Sequence, residues 1–138
     1  MLAVLDTNIL VAALRSRHGA SAAVLQRMLR RQFRPVVSTA LALEYEDVLN
    51  RPGLISAYTS EEITTFLDSL LSLAREASIY FRWRPFLPDP GDDLVFECAL
   101  AGGATPLITF NHADFIRVSP FGISVVTPAQ FLRLLPPL

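Results

Sequence analysis

Four carboxylates stand far apart in this 138-residue chain, and each follows or borders an apolar segment. Asp6 ends "LAVL", Glu44 lies within "VVSTALALEYEDVL", Asp92 within "DPGDDLVFECAL", and Asp114 within "ITFNHADF", where Asn111 precedes it. Carboxylates gathered at one point raise one another's pKa and do not all stay ionised without a cation. An oxygen-only set, with no His or Cys cluster, points to Mg2+ or Mn2+ rather than Zn2+. A hard ion of that kind lowers the pKa of a water and offsets charge on a phosphate under attack.

Such chemistry needs elements that bring the carboxylates together. Residues 2–5 form a short, fully apolar run, the mark of a central parallel strand ending at Asp6. Helices are expected over 8–17 and 20–33, a second strand over "PVVS" at 35–38, and a helix over 39–50 that Asn50-Arg51-Pro52-Gly53 breaks. "TSEE" (59–62) is an N-terminal capping signal for a helix running to about 76. A strand at 77–81 follows, then the Pro/Gly loop "LPDPGDD" (87–93), which starts a helix to 101. "PLITF" (106–110) and "GISVV" (122–126) read as strands, and "TPAQFLRLL" (127–135) as a last helix with Pro at its first position. Strands alternating with helices predict an α/β fold with a mostly parallel sheet, whose ligands sit off the carboxyl ends of the strands. Asp6, Asn111 and Asp114 fall at such ends.

Helical geometry sorts the remaining acids. On the 39–50 helix, Leu41, Tyr45, Val48 and Leu49 share one face, Glu44 borders it, and Glu46 and Asp47 lie off it as solvated charges. Glu44 as a boundary residue in a surface salt bridge is the plainer alternative. On the helix from about 92, Asp92 lies at the centre of the face made by Val95, Phe96, Ala99 and Leu100. A carboxylate there is costly unless paired, although Asp near a helix start also caps backbone N–H groups. Asp93 and Glu97 occupy the adjoining flank. Asn111 and Asp114 taken singly are better explained as a polar Asx turn closing a βα loop. The convergence of the whole set at one end of one sheet is what favours a site.

Bulk properties narrow the classes. With 51% apolar and 18% charged residues the chain is expected to fold, as a single domain over 1–138. No run approaches the roughly 20 apolar residues that span a bilayer, and no signal peptide is expected. A single cysteine, Cys98, excludes an intrachain disulfide and fits a reducing, cytoplasmic setting. Net charge is −1, yet residues 1–34 carry six arginines against Asp6 alone, while 41–100 carry eleven of the thirteen acids. Lys is absent throughout. A coding bias with solvated helix faces explains this as well as a basic rim beside an acidic pocket does.

In order along the chain, "LDTNILVAAL" (5–14), "VVSTALALEYEDVLNRP" (36–52), "DPGDDLVFECALAGGA" (89–104) and "LITFNHADF" (107–115) resemble the PIN-domain ribonucleases. The likeness is to the toxin-like PIN proteins of prokaryotic toxin–antitoxin systems, which the ending "FGISVVTPAQFL" (121–132) also matches. The resemblance implies a three-layer α/β/α sandwich around a parallel sheet and metal-dependent hydrolysis of RNA, leaving a 5′-phosphate and a 3′-hydroxyl. It implies Asp6, Glu44, Asp92 and Asp114 as catalytic acids, and Asp93 and Asn111 as further metal ligands. Asn111 stands where many PIN domains have an acid. The cofactor implied is Mg2+ or Mn2+, and the partners are an RNA substrate and a cognate antitoxin. Arg15 and Arg17, soon after the first helix starts, are candidate RNA contacts.

Two other readings stand beside this one. Receiver-type phosphotransfer proteins also end a first strand on Asp, but they need a Lys late in the chain. A catalytically degenerate PIN domain that binds RNA or protein without cutting is the alternative function. Thr7 and Asn8 are expected to cap the first helix, and Thr109 to be a strand residue or to position the loop. Trp83 suits base stacking or anchoring of a loop, and Cys98 suits packing away from the centre of the buried face. Exposed Leu and Phe in the 8–33 and 60–75 helices suit a homodimer or simply the core.

Overall fold

The central strands of this protein are short, mostly apolar runs, while the edge strand Arg75–Glu76 is charged and exposed. The computed structural model describes residues 1–79, 84–103 and 106–137. Trp83 and the last two residues of the strand expected at 77–81 lie outside the described residues. The strands are β1 (Leu2–Leu5), β2 (Arg34–Val37), β3 (Arg75–Glu76), β4 (Leu107–Ile108) and β5 (Val125–Val126). They form one sheet in the order β3-β2-β1-β4-β5, with every pairing parallel. β1 is central, with Leu2 opposite Arg34 on one side and Leu5 opposite Ile108 on the other. Ala3, Val4, Leu5, Leu107 and Ile108 are fully buried, as strands covered on both faces must be. The edge strands β3 and β5 have two residues each, which leaves little edge for foreign pairing.

The helices are α1 (Thr7–Arg15), α2 (Ala20–Leu29), α3 (Thr39–Leu49), α4 (Ser60–Leu73), α5 (Pro90–Gly102) and α6 (Pro128–Leu134). Two connections step from β1 to β2 to β3, and the next two step back across the sheet to β4 and β5. Right-handed crossovers therefore put α1–α4 on one face and the β3–β4 and β4–β5 connections on the other. α2 packs on α1 and α6, whereas α5 lies over β1, β2 and β4. The result is the expected α/β/α sandwich. The reversal of direction occurs between β1 and β4, and beyond their carboxyl ends lies the crevice where open parallel sheets bind ligands.

Local chemistry sets the helix boundaries. Thr59 with Glu62, and Thr127 with Gln130, make complete capping boxes at α4 and α6. Ser38 caps α3 by accepting from the Leu41 N–H at 3.1 Å. Gly103 closes α5 in the left-handed region at φ 63°. α2 stops at Leu29, short of the expected 33, because Arg31 adopts φ 62° and Arg34 already belongs to β2. β3 lies at 75–76 rather than at 77–81, since Arg34 holds the Leu73 and Ala74 carbonyls and brings that segment in early. Residues 112–121, where no helix is expected, form a 3₁₀ segment interrupted at Phe115. Among helices, α5 departs most from a one-sided pattern: Asp92, Asp93, Val95, Phe96, Glu97, Cys98 and Ala99 are all buried. Cys98 accordingly sits inside, fully buried, with its thiol donating to the Val36 carbonyl at 3.3 Å. Burial pushes that thiol up to about 12.

Candidate active site

Asp6 occupies the N-cap position of α1, yet its side chain does not cap the helix. The carboxylate turns instead toward β4, where the Thr109 hydroxyl donates to Oδ2 at 2.6 Å. Thr109 is itself fully buried and held at both ends. Its N–H donates to the Val126 carbonyl at 3.0 Å, and its hydroxyl accepts from the Asn111 N–H at 3.0 Å. Also toward β4, the Asp6 N–H donates to the Ile108 carbonyl at 2.9 Å, and from α3 the buried Tyr45 hydroxyl donates to the Leu5 carbonyl. The switch point of the sheet thus fixes Asp6 through backbone and side chain together. Thr109, directly after β4 rather than in it, is a positioning residue.

A pocket of about 310 Å³ opens beside Asp6. Asp6, Glu44, Asp89 and Asp92 line it with Asn111 and Arg51, and Val11, Val48 and Leu54 supply an apolar wall. α3 delivers Glu44 from the border of its buried face. α5 delivers Asp92 from its first turn, close to the Asp89 cap, whose Oδ1 accepts from the Gly91 N–H at 2.9 Å. Gly91 allows this crowding, since a Cβ there would lie 3.3 Å from Glu44 Oε1 and 3.4 Å from Asp89 Oδ1.

The electrostatics follow from the packing. Burial lifts the Asp6 carboxyl to about 6, with Asp89 and Asp114 adding to the rise and the hydrogen bonds from Thr109 and the Thr7 N–H opposing it. Burial likewise lifts Asp92 to about 7, with repulsion from Asp6, Asp89, Asp114 and Asp93 contributing in turn. Asp92 Oδ2 is buried with no hydrogen-bond partner, and so is Asn8 Oδ1, on another residue lining the pocket. A buried carboxylate oxygen left without a donor costs free energy that a cation would return. Among the described residues, no three His, Cys, Asp or Glu side chains already close around a single point. Mg2+ is commonly held by one or two carboxylates and keeps several waters, and the Asp6–Asp92 pair with the open volume beside it fits that requirement.

The other expected residues fall in three places. Asn111 lines the pocket, and Asp114 stands close enough to raise both Asp6 and Asp92 without lining it. Asp93 is drawn away: its carboxylate accepts from the Leu87 N–H at 2.8 Å and the Phe86 N–H at 3.4 Å, pinning the loop ahead of α5. Glu97, on the same flank, pairs with Arg84 at 2.6 Å. Arg15 and Arg17 are exposed at and just beyond the far end of α1, Arg15 lying about 13.5 Å along its axis from Asp6. Asn8, expected as a cap, makes no side-chain cap; α1 starts on the Asp6 carbonyl, which accepts from the Ile9 N–H.

Sequence reasoning missed Asp89 and Arg51. The signal for Asp89 was present: an Asp directly before a Pro at the first helical position is a cap, so its carboxylate shares the helix end with Asp92. Arg51 carried only a helix-breaking signal.

The chain matches the family described as PIN domain over residues 3–113. No curated protein matches it significantly. Among solved structures it is similar to a chain from the crystal structure of VapBC2 from Rickettsia felis bound to a DNA fragment from their promoter. That likeness has a TM-score of 0.63 at 18% identity and covers 92% of this chain and 98% of the other.

Proposed function

We propose that this chain, which belongs to the PIN-domain family, is a metal-dependent ribonuclease acting as one domain over residues 1–138. The observation that carries the reading is the lining of the switch-point pocket by Asp6, Glu44, Asp89 and Asp92, with Asp92 Oδ2 buried and unpartnered. Asp6 and Asp92 would hold Mg2+ or Mn2+, and Glu44, Asn111 and Asp114 would complete the ligand set directly or through water. Asp93 serves this set by fixing the start of α5. A bound divalent ion supplies a water of lowered pKa and offsets charge on the phosphate.

The chain's own residues do the remaining work. Thr109 keeps one Asp6 oxygen engaged and thereby orients the other. Glu44, at the pocket wall, would accept a proton from the attacking water, and the apolar wall of Val11, Val48 and Leu54 limits competing solvent. Hydrolysis would leave a 5′-phosphate and a 3′-hydroxyl. Arg15 and Arg17 would contact RNA only beyond the pocket, where a longer strand reaches the far end of α1.

The fold shared with the VapBC2 chain supports a place in a toxin–antitoxin pair, with a cognate antitoxin as partner. No described helix is long and apolar enough to cross a membrane, and a cytoplasmic location accompanies this reading. Leu29 and Leu71, exposed on α2 and α4, are candidate contacts for a second copy. The test is Mn2+-dependent cleavage of a mixed RNA pool by wild type and Asp6→Asn. Cleavage lost in the variant supports the nuclease. Mn2+ binding without turnover by wild type supports a degenerate PIN domain that binds RNA or protein, and equal activity in the variant removes Asp6 from the mechanism.

A further inference from the structure

Four carboxylates in one pocket repel the polyanion that the proposed reaction must admit, so a cation has to meet the incoming strand. Among the described residues, Arg51 is the one Arg or Lys in the lining of that pocket. It follows the C-terminus of α3, and its backbone is anchored: its N–H donates to the Val48 carbonyl, and its carbonyl accepts from the Leu54 N–H. Its side chain is uncommitted by comparison. Its Nη2 lies 3.3 Å from Asp47 Oδ2, and the two side chains are 59% and 69% exposed. An exposed pair four residues apart on a helix is worth little and exchanges readily for a better anion. Beside Arg51, Val48, Val11 and Leu54 form an apolar wall with room for a base or sugar.

We infer that Arg51 is the phosphate-binding residue of the site. It leaves Asp47 to take a backbone phosphate of single-stranded RNA next to the bond held over Asp6 and Asp92, while the adjoining nucleoside rests on Val48 and Leu54. This rests on the nuclease reading. A guanidinium suits the role because it binds phosphate oxygens in a two-pronged contact and stays charged at any working pH.

The test is fluorescence anisotropy of a short fluorescein-labelled single-stranded RNA of mixed sequence, with Ca2+ in place of Mg2+, over a series of salt concentrations. Arg51→Ala is expected to weaken binding by about three- to tenfold at low salt and to make the log affinity–log salt slope shallower by about 0.7, the contribution of one phosphate on a single strand. Asp47→Ala, which frees Arg51, is expected to bind as well as wild type or more tightly. An Arg51→Ala protein with wild-type affinity and slope overturns the assignment while leaving the nuclease reading intact. A loss in Asp47→Ala equal to that in Arg51→Ala also overturns it, because Arg51 would then act only through its ion pair. Failure of wild type to bind the RNA overturns both readings together.

Discussion

Replacing Thr109 with Val keeps the shape of a fully buried side chain and removes a single hydroxyl, the one donating to Asp6 Oδ2 at 2.6 Å. A hydrogen bond to a charged group contributes about 1.5–3 kcal/mol, and about 1.4 kcal/mol corresponds to one pKa unit. Asp6 already sits at about 6 because of burial, with Thr109 restraining it. Without that donor its carboxyl should rise to about 7–8. At about pH 7 the ionised fraction then falls from about nine-tenths to between a half and a tenth. Metal binding needs the ionised form, so apparent Mn2+ affinity should fall about two- to tenfold at that pH and recover at about pH 9. Calorimetric titration with Mn2+ at both pH values reads this directly. An affinity unchanged at both would refute the role given to Thr109. An equal loss at both would refute the titration argument, since proton competition vanishes at high pH.

The raised carboxyls make the metal-free fold less stable as pH rises. The folded state of Asp6 and Asp92 holds protons that the unfolded chain, titrating near 3.8, has already released. Their contribution to stability is therefore full below about pH 4 and declines through the window up to about 6 for Asp6 and 7 for Asp92, by up to about 3 kcal/mol from Asp6 alone. Thermal melting should show a falling Tm across that window and its recovery on adding Mn2+; a flat profile would contradict the burial that raises these carboxyls. Asp93→Ala should lower stability by about 1–3 kcal/mol through the stranded Leu87 N–H, as read by urea unfolding, whereas Asp92→Asn should raise metal-free stability at about pH 8. Gly91→Ala should fold normally but weaken Mn2+ binding several-fold in calorimetry, because its Cβ crowds Glu44 and Asp89 from 3.3 and 3.4 Å.

The sheet was legible because β1, β2 and β4 are short apolar runs with turn residues behind them, and a parallel order forces Asp6 and Asn111 to one end. Glu44 was legible for a different reason: α3 has one buried face, so a helical projection separates Glu44 from Glu46 and Asp47. On α5 that method fails. The helix is buried nearly all round, and its carboxylates divide by partner rather than by direction. Asp92 keeps an unpartnered oxygen, Asp93 takes two backbone donors, and Glu97 takes Arg84. Adjacent residues with identical chemistry cannot be told apart until the 84–87 segment is placed against them. Arg51 and the bond from Thr109 to Asp6 were hidden similarly, since a helix-end arginine and a hydroxyl after a strand acquire meaning only from residues 4 and 103 positions away.

On the proposed reading, Asp6 and Asp92 share a divalent ion. Anomalous diffraction from a crystal soaked in Mn2+ tests it most directly. One strong peak is expected between the two carboxylates, within oxygen-ligand distance of both and with Glu44 facing it. A pocket without such a peak in a crystal that takes up Mn2+ elsewhere, or a peak bound by neither Asp6 nor Asp92, would contradict it.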